Sequence, residues 1–270
     1  MLRTRLLTAI VLIPIVTWVT CLGGLPFLVL VAVLTTLAEI EFCRLIARRG
    51  FQFVHLFGIT LVWLFLLDGH FRQWGGLNWV LSGILLVSLS WRVLHHQRST
   101  AEGWTGAIAS GLYIGLCGFH LVRLRAFPET GLWWTLIALP ITLLADSVAY
   151  VVGSLWGRHK LAPLLSHGKT LEGYVSGILS GGAAGAFLGW VWGLKAGPGS
   201  TVTWPHGLAM GLLVAALAPM GDLAISMFKR EAGVKDSGKL LPGHGGMLDR
   251  MDSVLFAAVI GHAYITWITQ

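Results

Sequence analysis

Long apolar runs separated by short polar stretches make up most of this chain. Nine of them cover residues 6–22, 27–43, 53–67, 77–94, 104–122, 131–153, 173–194, 206–228 and 253–268. A helix rises about 1.5 Å per residue, so about 20 apolar residues cross the ~30 Å hydrocarbon core of a bilayer. The pattern predicts an all-α polytopic membrane protein, a bundle of about nine transmembrane helices. Gly23-Gly24-Leu25-Pro26 has the turn chemistry of the first reversal. The run 6–22 follows Arg3 and Arg5 and meets no small-residue cleavage site before the next run, so it reads as a retained first span.

Composition agrees: 55% of residues are hydrophobic, only 11% are charged, and there are 13 tryptophans, several near span ends as in an aromatic belt. The net charge of +7 would suit a nucleic-acid partner, but no basic face interleaved with aromatics supports one. Loop asymmetry accounts for the charge. With nine spans and a cytoplasmic N-terminus, cytoplasmic segments carry 15 of the 19 Lys and Arg residues, and that bias sets orientation. Cys21, Cys43 and Cys117 are scattered and read as packing residues.

The densest polar stretch, 226–252, lies between the last two runs. It holds five cations (Lys229, Arg230, Lys235, Lys239, Arg250), four carboxylates (Glu231, Asp236, Asp249, Asp252), His244 and five glycines. A topology loop explains the cations but not Asp249, Asp252 or His244-Gly245-Gly246. Together they are what a metal–polyphosphate site needs: hard oxygen ligands, phosphate-binding cations and glycines that let backbone N–H groups approach. Asp249 and Asp252 fall on one side of a helix that begins the last span. With Asp222 from the preceding span they would repel one another unless a divalent cation lay between them, and oxygen-only ligands favour magnesium. Gly221 before Asp222 reads as room for that ion.

Other polar residues are fewer. Asp146 sits inside the sixth run, where a carboxylate is a functional candidate by default. Ser166-His167-Gly168-Lys169-Thr170-Leu171-Glu172-Gly173 offers an ammonium and a hydroxyl to phosphate but lacks P-loop spacing. Glycines at 173, 177, 181, 185, 189 and 193 form a helical stripe. It suits packing inside the bundle or a homodimer contact, and a site between helices favours the first. Glu39 and Glu41 read as interfacial partners of Arg44, and His95-His96 and His120 have no metal-spaced companions.

The polar stretch resembles the signature of phosphatidate cytidylyltransferases (CDP-diacylglycerol synthases). Every fixed position is filled: Ser226, Lys229-Arg230, Lys235-Asp236, Gly238, Leu241-Pro242, His244-Gly245-Gly246, Asp249-Arg250 and Asp252. Residues 166–173 resemble the family's second block, with Ser166, Lys169, Thr170, Glu172 and Gly173 kept and His167, Gly168 and Leu171 departing from it.

The resemblance implies transfer of CMP from CTP to phosphatidic acid, giving CDP-diacylglycerol and pyrophosphate. It implies a magnesium ion on Asp222, Asp249 and Asp252, with Asp146 a further ligand and a monovalent cation as an added option. Lys229, Arg230, Lys235, Lys239 and Arg250 would meet phosphates, and His244 would donate to the leaving group. Gly245, Gly246, Asp236, Ser226, Ser166, Lys169, Thr170 and Glu172 complete the expected binding set. The expected setting is a bacterial cytoplasmic (inner) membrane, with the site facing the cytoplasm and the lipid tails in the bilayer. Residues 1–130 would be scaffold and 131–270 catalytic.

Two other readings compete. A sister CTP-dependent enzyme would act on another lipid, and a secondary transporter would use the acids as ion sites. No internal repeat supports the transporter, and the Asp-x-x-Asp-Gly-x-x-Ala-Arg run of CDP-alcohol phosphotransferases is not present.

Overall fold

The computed structural model describes residues 2–48, 55–71, 77–94, 101–163, 165–238, 240 and 245–270. Each predicted run coincides with helix over its described residues, 53 and 54 of the third run lying outside them: α1 (Leu2–Leu22), α2 (Gly24–Ala47), α3 (His55–His70), α4 (Leu77–Leu94), α5 (Ala101–Arg125), α6 (Gly131–Trp156), α7 (Leu171–Ala196), α8 (Trp204–Leu217), α9 (Pro219–Glu231) and α10 (Leu248–Ile268). Among the described residues seven helical stretches are long and apolar enough to cross a membrane, and Leu12–Leu22 and His55–His70 are shorter apolar helices. The protein is a polytopic, essentially all-α membrane protein. Gly23 and Gly24, with φ of 65° and 54°, make the first reversal, in the left-handed region that glycine enters without penalty. The eighth run is divided because Pro219 supplies no N–H to the helical ladder. Gly221 N donates instead to the Ala218 carbonyl at 2.9 Å.

One feature was not expected from the periodicity. Strand β1 (Lys160–Ala162) pairs antiparallel with β2 (Ser166–Thr170), aligning Lys160 with Thr170 and Ala162 with Ser166.

The chain divides into two compact units, one of Met1–Arg123 with Phe228–Met251, the other of Leu124–Met227 with Asp252–Gln270. Residues 228–251 therefore group with the N-terminal helices. In the first unit α3 and α5 meet through glycine: a Cβ on Gly111 would lie 2.7 Å from the Gly58 carbonyl oxygen. Leu61, Val62, Phe65, Ile114 and Leu121 of the same two helices are buried, and Phe42 packs on Phe228 with ring centroids 4.8 Å apart.

In the second unit the core is Trp134, Ile137, Ile141, Met210, Val214 and Ile265. The glycine stripe closes here as a seam between α7 and α8. A Cβ on Gly185 would run into the Gly207 carbonyl and lie 2.9 Å from Gly211 Cα, and one on Gly189 would lie 3.0 Å from Gly207 Cα. The stripe is spent on internal packing, where small residues bring two backbones into contact.

Candidate active site

In the first unit Lys229, Ser237, Gly246 and Leu248 of the polar stretch gather around two carboxylates. Asp249, at the start of α10, receives Lys229 Nζ on Oδ1 at 2.6 Å. Its Oδ2 accepts from Ser237 N at 2.9 Å, Ser237 Oγ at 2.9 Å and Gly246 N at 3.0 Å. The Lys229 and Asp249 side chains are 11% and 8% exposed. A buried carboxylate with an ammonium and backbone N–H donors is held ionised and fixed in direction. Gly245, at φ 82°, makes the turn into α10.

The second carboxylate is Glu41 of α2, only 4% exposed. Its Oε2 accepts from Ser237 Oγ at 2.8 Å and from Leu248 N at 2.9 Å. The ion pair expected between Glu41 and Arg44 is replaced by these contacts. Glu39, fully buried, likewise turns inward and accepts from Ser110 Oγ at 2.7 Å and Cys43 Sγ at 3.1 Å. The reason is burial: the two carboxylates leave α2 on different sides, each into packed protein where the available donors are hydroxyl, thiol and backbone N–H groups.

In the second unit Lys169 of β2 meets Asp222 of α9, Nζ to Oδ2 at 2.7 Å. Lys169 Nζ is enclosed, and apart from Asp222 no partner among the described residues is aligned with its N–H groups. Asp222 Oδ1 also accepts weakly from Ser226 Oγ at 3.3 Å. A cavity of about 350 Å³ runs beside this pair, lined among others by Asp146, Tyr150, Ser166, Lys169, Tyr174 and Asp222.

Thr170 caps α7, accepting from Gly173 N at 3.2 Å. Glu172 clasps the hairpin: His159 Nδ1 lies 2.7 Å from Oε1, and His159 N donates to both carboxylate oxygens at 3.2 Å. These two residues of the expected binding set hold the β1–β2 hairpin that lines the cavity.

Asp252 is 5% exposed and accepts from Ser253 N at 2.6 Å. The space at Gly221, read from sequence as room for an ion, is filled by α10: a Cβ there would strike the Asp252 carbonyl. Arg230, Lys235, Asp236 and Arg250 are exposed. Lys239, Leu241, Pro242 and His244 lie outside the described residues. Among the described residues no three His, Cys, Asp or Glu side chains are grouped closely enough to hold a metal ion. Lysine ammonium groups neutralise Asp222 and Asp249 in that arrangement.

Residues 3–268 match the Cytidylyltransferase family. The chain belongs to this family. It is 31% identical over 259 residues to the phosphatidate cytidylyltransferase of Bacillus subtilis (strain 168), covering 94% of each chain. It is 35% identical over 267 residues to that of Brucella melitensis biotype 1, covering 96% of this chain and 91% of the relative. With that of Staphylococcus aureus (strain COL) the identity is 29% over 263 residues, covering 94% and 95%.

Within the cytidylyltransferase frame the sequence pointed Glu41 to Arg44 and gave Ser237 and His159 no role. Ser237 lies inside the signature and could have been noticed as a hydroxyl between Asp236 and Gly238. Glu41 carried only the general signal of an acid in an apolar run. Nothing local announces its partners, 196 and 207 residues away in the chain.

Proposed function

We propose that this chain is a phosphatidate cytidylyltransferase, transferring CMP from CTP to phosphatidic acid at the cytoplasmic face of a bacterial inner membrane. The observation that carries the reading is the complete 226–252 signature, together with two short Lys–Asp pairs, Lys229–Asp249 and Lys169–Asp222.

A phosphate oxygen of phosphatidic acid attacks the α-phosphorus of CTP. One P–O bond forms, the bond from Pα to the bridging β-phosphate oxygen breaks, and pyrophosphate leaves with the electron pair. The nucleophile is already an anion, so catalysis rests on orientation and charge neutralisation rather than on a strong base.

Lys169 can offer a phosphate oxygen the N–H groups that Asp222 does not take. Lys229 holds Asp249 and adds positive charge to the signature loop. Asp222 and Asp252, on helices that Gly221 lets approach closely, are the oxygen donors that would hold magnesium. The Asp249 carboxylate, already engaged by Lys229, Ser237 and Gly246, fits the part of an anchor better than that of a ligand. Magnesium, when bound, supplies charge neutralisation for the triphosphate.

The reading is tested with purified protein, magnesium, cytidine-labelled CTP and phosphatidic acid. The expected result is labelled lipid and an equal amount of pyrophosphate; no labelled lipid with any acceptor overturns it. A second reading, a different lipid acceptor, draws on Gly168, where a Cβ would find no atom within 4 Å. Label entering another lipid but not phosphatidic acid would decide for it.

A further inference from the structure

We propose that Glu41 of α2 is a positioning residue for the signature, its carboxylate being the point at which Ser237 and Gly238 meet Gly246 and Leu248. The inference rests on the cytidylyltransferase reading for its functional half and on geometry alone for its structural half.

Four contacts converge on this one side chain. Ser237 Oγ and Leu248 N donate to Oε2 at 2.8 and 2.9 Å. Gly238 and Gly246 come in beside it so closely that a Cβ on either would overlap the carboxylate. Ser237 and Gly238 open the loop, while Gly246 and Leu248 close it, so a single buried group from a distant helix joins both ends.

The same residues hold Asp249. Ser237 N and Gly246 N both donate to its Oδ2, at 2.9 and 3.0 Å. Ser237 Oγ lies within hydrogen-bond distance of both carboxylates but has one proton to give. When that proton goes to Glu41, Asp249 keeps two backbone donors and Lys229. Glu41 therefore acts on Asp249 and Lys229 through Ser237 and Gly246. Its backbone-level contacts require an acceptor of this length at this place.

The variants Glu41→Ala, Glu41→Asp and Glu41→Gln separate this role from plain packing. Gln keeps an acceptor oxygen at the right reach, Asp is one methylene short, and Ala has none. Two measurements are made on the purified full chain: hydrogen exchange of peptides covering 233–248, and steady-state turnover.

Glu41→Ala and Glu41→Asp are expected to speed exchange in that segment while leaving peptides of α6 and α8 unchanged. They should lower kcat about 100-fold, the size of effect a small misplacement of reacting groups produces, with KM for phosphatidic acid nearly constant. Glu41→Gln should restore slow exchange and most of kcat. Gly246→Ala, which pushes the loop off the same carboxylate, should copy Glu41→Ala, and the double variant should be no worse than either alone.

Unchanged exchange in Glu41→Ala overturns the proposal whatever the activity. Faster exchange with kcat intact overturns its functional half, and so does a Glu41→Gln as inactive as Glu41→Ala. If Glu41→Ala does not fold, Glu41→Asp and Glu41→Gln carry the same comparison. An inactive wild type would count against the transferase reading, while the exchange measurement still decides whether Glu41 holds the loop.

Discussion

Lys229 Nζ stands 2.6 Å from Asp249 Oδ1, and both side chains are nearly enclosed. Two charges removed from water together are tolerable only as a pair. Taking away either partner leaves the other uncompensated, at a cost of about 3–5 kcal/mol. Lys229→Met is therefore expected to lower both thermal stability and turnover, with Asp249 left facing only Ser237 and Gly246. Melting in detergent and CTP-dependent lipid labelling check the two effects side by side.

Asp249→Asn keeps the shape of the side chain but sets an amide N–H₂ among donors that all need an acceptor. Turnover should be abolished in protein that still folds but melts lower, because Lys229 loses its charge partner. Retention of most turnover by this variant would remove Asp249 from the site.

The Lys169–Asp222 pair is more open, with side chains 24% and 33% exposed, so its contribution to stability is small. Its expected weight is on substrate. Lys169→Gln should leave the melting temperature within a few degrees and reduce kcat/KM for CTP about 100-fold, the loss expected when one charge-stabilising group is removed. Equal kcat/KM in the two proteins would move phosphate binding away from β2.

Magnesium dependence can be tested directly. Chelation with EDTA is expected to stop labelling and added magnesium to restore it. Asp222→Asn should raise the magnesium concentration needed for half-maximal rate. Full activity in EDTA would exclude a divalent ion from the reaction.

The α7–α8 seam gives a prediction about stability alone. Gly185→Ala forces a Cβ against the Gly207 backbone, and overpacking of this kind costs about 1–3 kcal/mol. Gly83→Ala on α4, where nothing lies within 4 Å, should be neutral or slightly stabilising, since alanine favours helix by about 1 kcal/mol over glycine. Melting temperatures of the two variants make the comparison.

The helices were legible because membrane spans are written as continuous apolar runs; 77–94 coincides with α4 to the residue. The hairpin was not, because strands of three and five residues carry too little periodicity to register. Pro219 was visible in the eighth run, yet hydropathy averages over a single proline. At the site, Ser226, Lys229 and Asp249 stood out because the signature is local in sequence, and Asp222 because it is an acid in an apolar run. Glu41 and His159 were not, since what they do is decided by partners that only folding brings near. Gly221 was noticed for the right position and given the wrong tenant: backbone fills the gap that an ion was expected to take.

Glu41 also has a consequence for dissecting the enzyme. A fragment beginning near residue 131 would contain every position of the signature and still lack the one carboxylate that closes Ser237 and Leu248 into a single arc. The diagnostic stretch is thus not a cassette that can be transplanted or expressed by itself. Its shape is borrowed from the other end of the polypeptide, and shortening the protein from the front would disarm it without touching a single signature residue.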